Sequence, residues 1–468
     1  MTDVDLAALT IAEASARIEA GTLSPVALAE ATFARIEAVD GRVHAYVRLM
    51  RDSALAEARA AEARAADGQR RGPLDGIPIG VKDLFDTAGV VTTGGTGAYR
   101  DRVPEVDATA VRLLREAGAV LTGKTNTHEL ALGGTTHNVH YGATHNPWAL
   151  DRVPGGSSGG SGAAVAADEA LGALGTDTGG SIRIPAAFCG VTGFKPTYGL
   201  VGRGGVLPLS YTLDHVGPIA RTVEDCALML NALAGVDERD HDSVPRPVED
   251  YAARLDLGVR GLRLAVIQPL VDAAGPDVRA AFEAALETFG KLGATILAVD
   301  PMGDIERWEA QTAPIITAEG ATISEHILRN QPETIGEPVR TRILWGLDAN
   351  VHDYVRAIEF RKLLQARFER TLGAGGEADA IVLPTSLFTA EPIGDSPMDE
   401  RSPTDKFRTT RIFNHSHQPS LSVPCGFDAD GLPIGLMITT AKWTDAFALR
   451  IGHAYQQATD FHLRRPAL

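Results

Sequence analysis

The sequence predicts an α/β fold around a mixed sheet, on three observations. Short apolar runs end at polar or glycine residues: PIGVKDLFD, AVLTGKTN, EALGALGTD and LPIGLMIT. Helical stretches such as ATAVRLLREAG and AAVAADEA lie between them, and strands alternating with helices are the pattern of an α/β sheet. The third is bulk, since 468 residues with 44% apolar and 22% charged suffice for a large core.

Along the chain, residues 1–68 read as a helical cover. LTIAEASARIEAG closes at Gly21, SPVALAEATFARIEAVDG opens on Ser-Pro and closes at Gly41, and SALAEARAAEARAADG is alanine-rich with its charges to one side. Residues 70–235 hold the strand–helix alternation and every motif with chemistry in it. Residues 236–375 are less regular: RLAVIQPL and ATILAVD read as strands around the amphipathic DVRAAFEAALETFGKLG, and DYVRAIEFRKLLQARFERTLG is a long helix. Residues 376–468 return to the core.

Two serines set in glycine, 24 residues apart, with one lysine upstream, carry the chemistry. PGGSSGGSG holds Ser157, GTDTGGSIRIPA holds Ser181, and GVKDLFDTAG holds Lys82. A serine hydroxyl is a weak nucleophile and needs both a base and donors for the developing oxyanion. Glycine lets backbone N–H groups crowd a carbonyl without interference from Cβ. The apolar neighbours Ile77, Ile79, Val81, Leu84 and Phe85 argue that Lys82 is buried, and burial moves an amine toward its neutral, basic form. A Gly/Ser linker is disfavoured because PGGSSGGSG runs directly into the helical AAVAADEA.

Three other patterns compete. GAVLTGKT, from Gly118 to Thr125, fits the expression of a phosphate-binding loop, yet Ala119-Val120-Leu121 read as strand where the cradle should begin. GGSSG fits the nucleophile elbow of α/β-hydrolases, with Asp395 and His415 as available partners, but leaves Lys82 and DTGGSIR without a role. His128, His137, His140 and His145 have no metal-ligand spacing.

These segments resemble the amidase signature family, whose pattern is a lysine in a KD motif, a GGSSGGS loop and a G-T-D-x-G-G-S-x-R-x-P segment, all present here in that order. The similarity continues through GKTNTHEL, NPW, CGVTGFKPTYG, LDHVGPIARTVED and SLSVPCGFDADGLPIGLMI. It implies a single large domain over 1–468, with a mixed, mostly parallel sheet covered by helices on both faces and a substrate funnel built from 236–375. Trp308, Ile343, Leu344, Trp345 and Phe360 are the apolar residues of that region from which a funnel wall would come. The resemblance assigns Lys82, Ser157 and Ser181 as the catalytic residues, and implies a cis peptide between Gly156 and Ser157. The oxyanion hole would be the N–H groups of Thr178, Gly179, Gly180 and Ser181. Asp177 and Arg183 would brace that loop as an ion pair, Ser158 would join the network, and Ala131, Leu132 and Gly133 would line the acyl side of the pocket.

Two functions fit such a site. A stand-alone amidase would act on small hydrophobic or aryl amides, esters or carbamates. The alternative is the A subunit of a glutamine-dependent tRNA amidotransferase. Phe407 stands where that subunit carries an acidic residue, which favours the stand-alone enzyme. The net charge of −16 points away from nucleic acid. Three scattered cysteines, an acidic start and no long apolar run point to a cytoplasmic protein without disulfides or membrane contact. The expectation is therefore a monomer or homodimer acting on a small molecule, with no metal and no organic cofactor.

Overall fold

The computed structural model describes residues 6–394 and 407–468. Its helical cover comprises α1 (Ile11–Glu19), α2 (Pro25–Val43) and α3 (Arg51–Ala66). Thr10 caps α1 in a capping box with Glu13, and Ser24 caps α2 ahead of Pro25 at the first position. Helix α2 does not stop at Gly41. It runs on to Val43, because burial of Val43 continues the stripe of Phe33, Ile36 and Val39, and this outweighs the roughly 1 kcal/mol that a mid-helix glycine costs.

Eleven strands form one sheet. In chain order they are β1 (Tyr46–Leu49), β2 (Pro78–Lys82), β3 (Val120–Thr125), β4 (Gly172–Asp177), β5 (Thr192–Lys195), β6 (His215–Ala220), β7 (Arg263–Val266), β8 (Thr295–Ala298), β9 (Ala380–Pro384), β10 (Ser420–Phe427) and β11 (Pro433–Thr439). Their spatial order is β1-β3-β2-β4-β6-β5-β10-β11-β9-β7-β8. The first four runs named from sequence are β2, β3, β4 and β11, and RLAVIQPL and ATILAVD are β7 and β8. The mixed sheet has two parallel blocks, β3-β2-β4 and β9-β7-β8. Antiparallel pairs join the blocks through the centre and add β1 at the edge. The parallel character thus sits in the blocks, and the antiparallel centre is something strand patterns alone did not show.

Further helices are α4 (Thr109–Glu116), α5 (Gly159–Ala166), α6 (Arg183–Cys189), α7 (Val223–Leu233), α8 (Pro276–Lys291), α9 (Ile305–Asn330), α10 (Glu337–Leu347), α11 (Val351–Leu372) and α12 (Asp445–Gln457). Adjacent strand residues feed different cores, as a two-residue period requires. Leu121 and Leu174 pack with α1, α4 and α7, whereas Val120 and Ala173 pack with α2, α3, α5 and α6. Helices therefore cover both faces. Cys189, Cys226 and Cys425 are buried, free thiols. No described helix is long and apolar enough to cross a membrane.

Candidate active site

Strands β2, β3 and β4 run parallel, so their C-terminal ends open onto one edge of the sheet, where ligands of open α/β sheets bind. Lys82 ends β2, and Asp177 ends β4. Lys82 is fully buried. Its Nζ lies 2.8 Å from each of three hydroxyl oxygens, Ser157 Oγ, Ser158 Oγ and Thr176 Oγ1. Burial pushes the amine well below the ordinary lysine range, against the opposing charges of Asp214 and Asp177. An ammonium donates to all three hydroxyls, but a neutral amine has only two hydrogens, so one contact must reverse. Ser158 gives its own hydrogen to the Thr176 carbonyl and is thereby held as an acceptor. That leaves Ser157 or Thr176 to donate to the neutral amine.

The Gly156–Ser157 bond is cis. The Ser157 carbonyl accepts from His128 N–H and from the hydroxyls of Thr127 and Thr136, which pins this turn from three sides. A Cβ at Gly156 would lie 2.7 Å from Thr135 N, so the close approach admits only glycine.

Ser181 follows Gly180, whose φ of +139° and whose Cβ position, 2.4 Å from Thr410 Oγ1, exclude other residues. Among the described residues, the N–H groups of Gly179, Gly180 and Ser181 donate to no protein acceptor. The loop is held instead through side chains. Arg183 donates to both Asp177 oxygens, at 3.0 and 2.9 Å, and both residues are fully buried. Burial works to raise the Asp177 carboxyl, but the Arg183 guanidinium, with Lys195 and Asn414, holds it well below the usual carboxylate range. Asn414 accepts from Arg183 and donates to Asp177 Oδ1, and Thr410 donates to the Gly179 carbonyl. Thr176 and Asp214 stand in quoted segments, GTDTGGSIRIPA and LDHVGPIARTVED, but neither spacing implies these contacts, and Thr410 and Asn414 stand in no such motif.

A cavity of about 260 Å³ opens beside the loop, lined by Thr178, Gly179 and Ser181. Ser157 does not line it. Ala131, Leu132 and Gly133 form one wall, and α9 and α10 supply the other through Ile316, Gly320, Arg342, Ile343 and Trp345. Of the apolar residues considered for the funnel, Ile343 and Trp345 reach the cavity. Trp308 is core, Leu344 is exposed and Phe360 packs partly against the core. Phe407 and Arg411 complete the lining, with the guanidinium stacked 5.2 Å from the ring centroid.

The competing patterns fold into other roles. Val120–Thr125 is strand β3, and buried Lys124 donates to Phe85 O and to the Thr87 and Thr92 hydroxyls. His415 stacks edge-on against Trp308 in the core, and Asp395 lies outside the described residues. Of the histidine group, His128 is buried and pushed down to about 3, and His140 meets Glu129 at 3.1 Å. Among the described residues no three His, Cys, Asp or Glu side chains are grouped to hold a metal ion.

The family model described as Amidase matches residues 27–449. The chain belongs to the amidase family. It has the amidase signature fold and is a hydrolase of amide C–N bonds. It is 42% identical over 484 residues to the A subunit of glutamyl-tRNA(Gln) amidotransferase from Chloroflexus aggregans, covering 98% of each. The crystal structure of the corresponding subunit from Thermotoga maritima matches at 32% identity with a TM-score of 0.82, covering 98% of this chain and 96% of that one. A structure described as a vestigial protein complex revealing the origins of an s-triazine catabolic enzyme matches at 34% identity with a TM-score of 0.90, covering 98% and 100%.

These relatives overturn the expectation of a stand-alone amidase acting on a small molecule without nucleic acid. That expectation leaned on Phe407 and on net charge. Phe407 is one lining residue of the cavity, whereas the identity to the amidotransferase chain spans the whole length. Net charge speaks only to phosphate contacts this chain makes itself. In an assembly another chain can make them.

Proposed function

We propose that this chain is the amide-hydrolysing A subunit of a glutamine-dependent aminoacyl-tRNA amidotransferase, working in the cytoplasm with partner subunits. The reading is carried by 42% identity, across 98% of both chains, to a relative named as that subunit. The geometry supplies a mechanism. Ser181 is the nucleophile, since it faces the cavity and Ser157 does not. Neutral Lys82 takes a proton from Ser157 as Ser157 takes one from Ser181, and the Ser181 oxygen bonds to the amide carbon. The N–H groups of Thr178, Gly179, Gly180 and Ser181 stabilise the oxyanion, each donor being worth about 3–4 kcal/mol in such sites. The proton then returns through Ser157 to the departing nitrogen, the C–N bond breaks and ammonia leaves. Water hydrolyses the acyl-enzyme on Ser181 by the same relay. Released ammonia would amidate the aminoacyl group on tRNA at another site of the assembly.

The test is reconstitution with the partner subunits, following conversion of glutamyl-tRNA(Gln) to glutaminyl-tRNA(Gln) with glutamine as nitrogen source. Conversion lost in Ser181→Ala and restored by free ammonium is the expected result. Failure of the complete assembly to release ammonia from glutamine would overturn the assignment.

A further inference from the structure

Asp214, in the turn before β6, stands in the LDHVGPIARTVED segment and bonds the loop that carries Ser181. Its Oδ1 accepts from Thr178 Oγ1 at 2.6 Å, and Oδ2 accepts from the N–H groups of Leu209 at 2.8 Å and Ser210 at 3.0 Å. It lines a second cavity of about 320 Å³ together with Thr176, which accepts from Lys82, and Thr178, which begins the oxyanion loop. Thr176 and Thr178 flank Asp177 at the end of β4, so Asp214 sits across the strand end from Lys82.

Two carboxylates, Asp214 and Asp177, oppose the effect of burial on Lys82. The two differ in their partners. Asp177 is locked to the guanidinium of Arg183 at 2.9 Å, whereas Asp214 meets only neutral donors and forms no ion pair among the described residues. Burial raises the Asp214 carboxyl itself, while the bonds from Thr178, Ser210 and Leu209 and the charge of Arg203 work to lower it. Arg203, from the loop facing Asp214, is paired at 2.7 Å with both Asp240 and Asp242. His128, facing Lys82 from beyond β3, and His215, beside Asp214, are both pushed far below neutrality by burial, so neither titrates in the working range. Lys195 is likewise pushed well below the ordinary lysine range by burial and by Arg183.

We propose that Asp214 is a positioning residue for amide hydrolysis, fixing the oxyanion loop through the Thr178 hydroxyl and holding a negative charge against the ammonium form of Lys82. The inference rests on the relay of Lys82, Ser157 and Ser181, though not on the identity of the amide. Its test therefore reads the rate at which a fluorophosphonate probe labels Ser181 as pH is varied, which needs no substrate.

In the wild type, labelling should rise with pH as Lys82 loses its proton. Asp214→Asn removes the charge and lowers the proton affinity of the amine further. The acid limb should then move down by about one pH unit or more, with the plateau rate down about tenfold or more. Thr178→Val keeps the charge and loses the hydroxyl, so it should lower the plateau and leave the limb in place. Asp214→Glu should restore the limb. The limb's position does not depend on how much enzyme is folded, so it can be read from a poorly folding variant. A limb unmoved in Asp214→Asn, with or without a lower plateau, overturns the charge role. A wild-type plateau in Thr178→Val overturns the positioning role. Were Ser181 in the wild type not labelled at all, the relay itself would fail, and that outcome is distinct from either.

Discussion

The buried floor that lies beneath the cavity and the wall that lines it are built on opposite principles. The floor, from Lys82 through Ser157 and Thr176 to Arg183, is buried and held by hydrogen bonds whose geometry leaves no slack: three 2.8 Å contacts on one amine and a two-pronged guanidinium–carboxylate pair. The wall, from α9 and α10, is mostly apolar and reaches the surface, with Trp345 66% exposed. Chemistry demands fixed atoms, and fixed atoms need many partners. An apolar wall needs only area and shape, which many sequences supply. The floor should therefore respond steeply to single changes and the wall gently.

Ser181→Ala should give the largest effect, abolishing both turnover and probe labelling. Lys82→Met should follow closely, with a loss of about 10²–10⁴-fold in kcat at the pH optimum, the usual worth of a general base. Steady-state assays with active-site titration would measure both. Since only neutral amine accepts the Ser157 proton, and burial has lowered the Lys82 pKa, wild-type activity should be low in acid and rise with pH through that lowered value. Retained activity in Lys82→Met would erase the contrast between floor and wall.

Gly180→Ala comes next. Its Cβ would meet Thr410 Oγ1 at 2.4 Å, so the loop must shift and lose an oxyanion donor. A kcat loss of about 10²–10³-fold with KM little changed is expected, because the donor serves the transition state more than the ground state.

Arg183→Met separates bracing from catalysis. It leaves buried Asp177 without its cation, so denaturant unfolding should show a loss of about 3–5 kcal/mol. A stability unchanged within about 1 kcal/mol would mean that the pair does not hold the loop.

Smallest of all is Trp345→Ala, on the wall. With most of its side chain in solvent, it should shift stability by no more than about 0.5 kcal/mol, and its kinetic effect should appear in KM and not in kcat. A large fall in kcat would show that the wall also positions the reacting carbonyl.

The sequence by itself determined the strands that end in chemistry, the two glycine-set serines, the buried lysine and the Asp177–Arg183 brace, because each depends on local pattern or on glycine where a side chain cannot fit. Ala131–Gly133 were singled out only through the family resemblance. The sequence misjudged the assignment through Phe407, since one position in a wall of loose demands discriminates poorly. Tertiary structure alone decided that Thr176, Thr410, Asn414 and Asp214 converge on the site from strands and turns up to 237 residues away, as Asn414 does on Asp177. It alone decided which of Trp308, Ile343 and Trp345 faces the cavity. The physical reason is the same in each case. A hydrogen bond across a sheet, or the face a helix turns inward, depends on how distant segments pack, and no local spacing records that.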